Sequence, residues 1–230
     1  MHRKIFRYFS PFEIGLWCFS VLIIVVTFLL FDGGSYLSLI ASLIGATSLI
    51  LNAKGNPTGQ VLMLAFSVLY GVISLGFRYY GEMITYLGLT APMALAALIS
   101  WLKNPYKGRR AEVSVNKIAL RELVFMLLLS AAVTFIFYYI LSALGTANLY
   151  PSTLSVTTSF IAAYLTFRRS PYFALAYATN DIVLIVLWSM AAMTDISYTS
   201  VIVCFALFLI NDIYGFISWL GMEKHQGTNA

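Results

Sequence analysis

The chain has 230 residues, of which 60% are hydrophobic and 10% charged, against about 45–50% and about 25% in an ordinary soluble domain. That balance excludes a soluble globular protein and places nearly the whole chain in lipid. The net charge of +5 would suit nucleic acid only on a basic face interleaved with aromatic rings. Here Lys and Arg cluster at the ends of apolar runs, so they read as topology signals and no nucleic-acid partner is expected. Cys18 and Cys204 lie inside apolar runs, while His2 and His225 lie near the two ends of the chain. No metal site and no cofactor is therefore expected.

A membrane-spanning helix needs about 20 mostly apolar residues, within a range of roughly 17–25. Eight segments meet that requirement: Ile14–Phe31, Tyr36–Asn52, Thr58–Phe77, Met83–Leu102, Leu123–Leu144, Thr153–Phe167, Pro171–Met193 and Thr199–Leu220. Basic residues precede the first, as in a secretory signal. Its apolar run is long, however, and no A-x-A-type cleavage site follows, so it reads as a retained helix. The only long polar stretch, Lys103–Glu122, separates the fourth span from the fifth.

Cytoplasmic loops near helix ends hold the excess of Lys and Arg. With eight spans and a cytoplasmic N-terminus, every one of the 14 basic residues except Arg78 falls on the inner side. Adding or removing one helix scrambles that separation. The expectation is a multi-pass protein of the plasma membrane with both termini cytoplasmic.

Two windows of the sequence resemble each other. KGNP at Lys54–Pro57 opens a helix pair that closes with ISWL at Ile99–Leu102, and RRSP at Arg168–Pro171 opens another that closes with ISWL at Ile217–Leu220. Proline and tryptophan are 44 residues apart in the first window and 48 in the second. Each window has one helix before it, giving three helices per unit. A single linking helix puts both units in the same orientation, one of the two repeat schemes of transporters. The expected fold is all-α, with eight transmembrane helices in a 1+3+1+3 order and a pseudo-twofold relation between parallel repeats. Its divisions are an N-terminal tail and peripheral helix (1–35), the first repeat (36–102), a cytoplasmic loop and linking helix (103–150), the second repeat (151–222) and a C-terminal tail (223–230).

Polar groups inside a bilayer are costly, about 2.5–3.5 kcal/mol for a central Asp on insertion scales, and so face an interior or an aqueous cavity. Two dipeptides stand out: Asn180-Asp181 in the seventh span and Asn211-Asp212 in the eighth. At about 1.5 Å per residue, the two sit at matched depth near the midplane. Tyr177, Trp188 and Tyr214 fall at helical spacing from them. Amides and aromatic walls suit a flat heterocycle on a polar sugar. The Asn and Asp groups could equally tie helices together, and Asp181 and Asp212 could serve as protonation sites. In the first repeat the candidates are Ser67, Tyr70, Thr85, Tyr86 and Thr90, with Met93 standing where the second repeat has Asn211. Tyr79, Tyr80 and Trp101 read as interfacial belt residues.

The stretch Asn52–Lys107, together with NDIYGFISW at Asn211–Trp219, resembles the PnuC family of vitamin-precursor transporters over roughly residues 36–222. The resemblance implies two three-helix units joined by a linking helix and uptake of nicotinamide riboside by facilitated diffusion. It also implies trapping of the imported nucleoside by a separate cytoplasmic kinase. The family's N-x-x-Y-G-x-x-x-W pattern falls on Asn211, Tyr214, Gly215 and Trp219, and its asparagine on the preceding helix falls on Asn180. Phe173 and Ala176 stand where the family usually has a W-x-x-W pair, and a glutamine common on the fourth helix is replaced near Thr85 and Tyr86. Relatives carry thiamine or riboflavin, which is one alternative. A membrane-embedded binding subunit needing an energising partner is another, and a homo-oligomer is left open. An intramembrane aspartyl protease would need a Gly-x-Gly-Asp-type context around its acids, and neither Asp181 nor Asp212 has one.

Overall fold

Apolar runs without water around them must satisfy every backbone polar group internally, which leaves helices as the economical solution. In the computed structural model, which describes residues 8–31, 36–76, 80–146 and 148–228, eight long helices follow one another. They are α1 (Pro11–Phe31), α2 (Tyr36–Ala53), α3 (Thr58–Gly76), α4 (Tyr80–Lys103), α5 (Leu120–Ala143), α6 (Leu149–Phe167), α7 (Tyr172–Ala192) and α8 (Thr199–Thr228). Seven of the eight are long and apolar enough to cross a membrane. The exception, α6, carries a run of hydroxyl residues that includes Ser155, Thr157, Thr158 and Ser159, and much of it is buried against neighbours.

Three features depart from the expected pattern. The polar stretch after α4 is not merely a loop: β1 (Pro105–Tyr106) pairs antiparallel with β2 (Arg109–Val113), so the fold is mostly rather than wholly helical. The polar tail is helical too. α8 continues to Thr228 because Gln226 reaches the hairpin, accepting from the Val115 backbone N–H at 2.8 Å and donating to Val113 O at 3.1 Å. Within α4, Thr85–Thr90 is π-helical. Pro92 follows after one residue, Ala91, and a proline removes the N–H that an α-helix needs, so the wider turn accommodates the lost bond.

Neighbour contacts run α2–α3–α4–α6–α7–α8 and back to α2. α1 lies against α2 and α8, and α5 against α6. The two loops that follow α2 and α6 have the same backbone. Gly55 and Arg169 both have positive φ, 64° and 59°. The N–H of the next residue bonds back in each case, Asn56 to Leu51 O and Ser170 to Leu165 O, both at 3.0 Å, a helix-ending turn that usually requires glycine. Arg169 occupies it because its guanidinium donates to Ser114 O and Ser100 Oγ, each at 3.1 Å.

The ISWL motifs lock onto these two turns reciprocally. Trp101 Nε1 donates to Thr166 O at 2.9 Å and Ser100 Oγ to Phe167 O at 2.8 Å. Trp219 Nε1 donates to Asn52 O at 2.8 Å and Ser218 Oγ to Ala53 O at 2.7 Å. Trp101 is fully buried, which corrects its reading as an interfacial belt residue: its indole N–H is consumed by a helix-terminal carbonyl instead of by the headgroup region. The tyrosines read alongside it, Tyr79 and the Tyr80 side chain, lie outside the described residues, as do Arg78 and the basic residues before Tyr8.

Candidate substrate path

Successive residues on a helix point about 100° apart, so the two members of each Asn-Asp dipeptide face different neighbours. Asp181 and Asp212 turn toward each other across the α7–α8 contact, buried and with their carboxyls within hydrogen-bonding reach. Asp181 Oδ2 has no donor. Asn180 turns to α6, where its Oδ1 accepts from Thr158 Oγ1 at 2.7 Å and Ser159 Oγ at 3.1 Å. Asn211 turns to α1, donating from Nδ2 to Ser20 Oγ at 3.0 Å and to Leu207 O at 2.8 Å, while its buried Oδ1 meets no donor. The four groups are therefore not one cluster. The carboxyls share one space, while the Asn180 amide oxygen is bonded to α6 and the Asn211 amide nitrogen to α1.

Around the acids stand Tyr177, which is near both and bonds Thr166, Tyr86 near Asp181, and Cys204 near Asp181 and Ser42. The π-helical turn places Tyr86 against Tyr70, with ring centroids 4.6 Å apart, and edge-on to Phe66 at 5.9 Å. Phe66 in turn meets Phe208 at 5.9 Å. Gly45 on α2 makes that packing possible, since a Cβ there would come within 2.6 Å of Phe208 Cζ. At the end of the bundle away from the hairpin, Trp188 and Tyr198 face each other at 5.4 Å. Together with Ser38, Tyr70, Ser74 and Asp195 they line a cavity of about 160 Å³. The backbone N–H of Ser197 donates to Asp195 Oδ1 at 2.9 Å and holds that exposed carboxyl below the usual carboxylate range, so the mouth carries a negative charge at neutral pH.

Toward the hairpin end the same line of side chains closes. Phe173 stacks edge-on against Trp219 at 4.9 Å and against Trp101 at 6.3 Å, and the two indoles lie 5.4 Å apart. All three are buried. A file of aromatic rings thus runs from an open cavity, past a buried acid pair, to a plug of three rings.

Comparison with known proteins decides the family. The chain matches the family model described as nicotinamide mononucleotide transporter over residues 35–221. The chain belongs to that transporter family. It is 26% identical to the nicotinamide riboside transporter PnuC of Neisseria mucosa, over 98% of this chain and 87% of that one. It is 22% identical to the protein of the same name from Haemophilus influenzae, over 94% and 92%. The crystal structure of the vitamin B3 transporter PnuC superposes with a TM-score of 0.82 at 24% identity, covering 95% of this chain and 94% of that one. At that identity the likeness shows the fold.

Within this transporter family, the positions read from sequence divide into those along the file and those beside it. Tyr86, Tyr177, Trp188, Asp181 and Asp212 lie along the file. Ser67 bonds its own helix at Met63 O, and Thr90 bonds Thr85 O, so both hydroxyls serve the backbone. Tyr214 does not join Asp212: it points to α1 and donates to Glu13 Oε1 at 2.7 Å. Glu13 also pairs with Lys54 at 3.2 Å. α1 lies outside the ring of helices and is tied to it by its buried Glu13 and Ser20, which bond Lys54 after α2 and Tyr214 and Asn211 on α8. Sequence reasoning missed those two residues because a lone Glu at a helix start and a lone Ser look ordinary. It also missed Thr158 and Ser159, although the hydroxyl run in α6 was the signal, and Tyr198 and Asp195 at the cavity.

Proposed function

We propose that this protein carries nicotinamide riboside across the cell membrane by facilitated diffusion. The observation that carries the reading is the family match over residues 35–221, joined by two relatives named nicotinamide riboside transporters. The hairpin end is cytoplasmic, since it holds Lys103, Lys107, Arg109 and Arg110, and both termini lie on that side. The helices form two parallel units, α2–α4 and α6–α8, and the reciprocal Ser-Trp bonds and matching turns support a pseudo-twofold relation between them. α1 and α5 then hold corresponding outer positions, because Glu13 pairs with Lys54 after α2 as Glu122 pairs with Arg168 after α6.

Substrate enters the cavity lined by Trp188 and Tyr198, passes Tyr70 and Tyr86, and binds beside Asp181 and Asp212 near the midplane. Stacking suits the flat pyridine ring, and Asn211 Oδ1 offers an acceptor to a ribose hydroxyl. Moving the Phe173–Trp101–Trp219 plug opens the cytoplasmic side. A separate cytoplasmic kinase then traps the nucleoside by phosphorylation, and the transporter itself performs no bond-making step. Uptake of labelled nicotinamide riboside into proteoliposomes of the purified chain is the test. Saturable uptake without an imposed ion gradient is the expected result. No uptake above empty vesicles, with thiamine or riboflavin accepted instead, would replace the substrate while keeping the fold. Phe173 and Ala176, where the family usually has tryptophans, are the reason to include those two vitamins.

A further inference from the structure

Cargo that follows the proposed path leaves the bundle at the hairpin end, where α2, α4, α6 and α8 all finish. The chain that leaves β2 there has no helix or strand of its own until α5 begins, so its backbone N–H groups must find partners on other elements. Four consecutive ones find four different elements. Val113, the last residue of β2, donates to Gly55 O in the turn after α2 at 3.0 Å, Ser114 donates to Asn104 O beyond α4 at 2.9 Å, and Asn116 donates to Arg169 O in the turn after α6 at 3.0 Å. Val115 donates to Gln226 Oε1 near the end of α8 at 2.8 Å. One short strap thus ties four helix ends together. It also joins the three-ring plug: Val113 is fully buried in the apolar cluster that holds Trp101, Phe173 and Trp219, and Val115 and Ile118 pack against that cluster.

The four ties are unequal. Three have main-chain acceptors, so breaking them moves backbone, and Arg169 reinforces the strap again by donating from Nε to Ser114 O at 3.1 Å. The tie to α8 runs through one side chain. Gln226 accepts from Val115 and also donates from Nε2 to Val113 O and to Glu112 Oε1, each at 3.1 Å. A single change of rotamer releases all three contacts at once. Room for the hairpin to shift is present beside it, in a cavity of about 400 Å³ lined by Tyr8, Lys54, Arg109, Glu112, Ser218 and Met222.

We propose that the strap at residues 113–116 is the gate at the hairpin end and that Gln226 is its latch, so that the strap lets go of α8 before the plug rings part and cargo leaves. While all four ties hold, the helix ends that surround the plug cannot spread. Hydrogen bonds of this kind, each modest in net terms, break and re-form readily enough for a gate that works in every transport cycle. This inference rests on the path given in the proposed function, whichever vitamin follows it.

A reversible bridge across the latch tests the gate. Glu112 and Gln226 meet side chain to side chain, so the full-length variant carrying Glu112→Cys and Gln226→Cys is joined with a short bis-methanethiosulfonate before reconstitution and freed again with dithiothreitol. The single-cysteine variants treated in the same way control for the native Cys18 and Cys204. Bridging should lower uptake of nicotinamide riboside into proteoliposomes by about tenfold or more, reduction should restore it, and equilibrium binding should stay within about twofold, because locking a state that is already populated costs little affinity. Full-rate uptake by the bridged protein overturns the gate and leaves the transport reading intact. Loss of binding together with uptake also overturns it. If nicotinamide riboside is not taken up before bridging, the substrate reading falls, and the same bridged and unbridged comparison with thiamine or riboflavin still judges the gate. A second measurement decides if the double variant does not assemble: Gln226→Ala should make the buried Val113→Cys react severalfold faster with a water-soluble maleimide, while Val156→Cys, equally buried between α5 and α6, keeps its slow rate. No change at Val113→Cys, or an equal rise at both positions, overturns the latch.

Discussion

Trp101 and Trp219 make the same bond to different halves of the molecule: each indole N–H caps a carbonyl at the end of a helix in the other half, and the rings meet 5.4 Å apart. Equivalent environments predict equivalent costs. Trp101→Phe and Trp219→Phe should each lower stability by about 1 kcal/mol, the net worth of one buried bond. The alanine variants should each cost about 3–5 kcal/mol, as large buried rings do. Unfolding in detergent measures both. One tryptophan costly and the other silent would be incompatible with the proposed twofold relation.

Glu13 is nearly fully buried and serves Lys54 and Tyr214 at once. Glu13→Ala strands both partners and should cost about 1–3 kcal/mol. Lys117→Ala, which removes the exposed partner of an ion pair 3.9 Å long, should cost close to nothing. Thermal unfolding midpoints of the two variants compare them, and equal midpoints would mean that α1 is a bystander.

The two asparagines should separate by assay. Asn180 Oδ1 is already satisfied by two hydroxyls of α6, so Asn180→Ala should act on stability. Asn211 Oδ1 is buried without a donor, so Asn211→Ala should weaken nicotinamide riboside binding about tenfold. Titration calorimetry beside a melting curve distinguishes them. Identical profiles for both variants would argue that neither amide touches substrate.

Asp195 places one carboxylate at the mouth of the cavity. Asp195→Asn should slow uptake of the cationic substrate severalfold at low ionic strength and match the parent protein at about 0.5 M salt, where the field is screened. The Ser197 bond lowers this carboxyl's pKa, so the charge is present above the usual carboxylate range and is lost only as pH falls below it. Uptake rates across a salt series at neutral pH, repeated at about pH 5, should therefore show the same difference. A difference that survives high salt would assign Asp195 a direct contact in place of steering.

Much of the architecture was legible because lipid permits few solutions. The apolar runs led to eight helices, seven of them long and apolar enough to cross a membrane, and the repeated Pro and Trp positions marked turns and locks that pair reciprocally. Rotation was not legible. Asn180-Asp181 and Asn211-Asp212 stand out as dipeptides, yet which member meets its counterpart depends on how α7 and α8 are turned against each other. Tyr214 matched the family pattern and the helical spacing, but an acid on α1 draws it away from Asp212. The hairpin after α4 and the helical tail were missed together, for each stabilises the other through Gln226.

By itself the sequence determined that the chain is a multi-pass membrane protein and where its long apolar runs and few polar groups fall along it. Those properties follow from length, hydropathy and charge, which are additive along a chain. Only the tertiary structure decided that two carboxyls face each other, that Phe173 and two indoles stack together and that the first helix is a structural partner. Such relations depend on which faces of distant helices meet, and packing in three dimensions sets that choice.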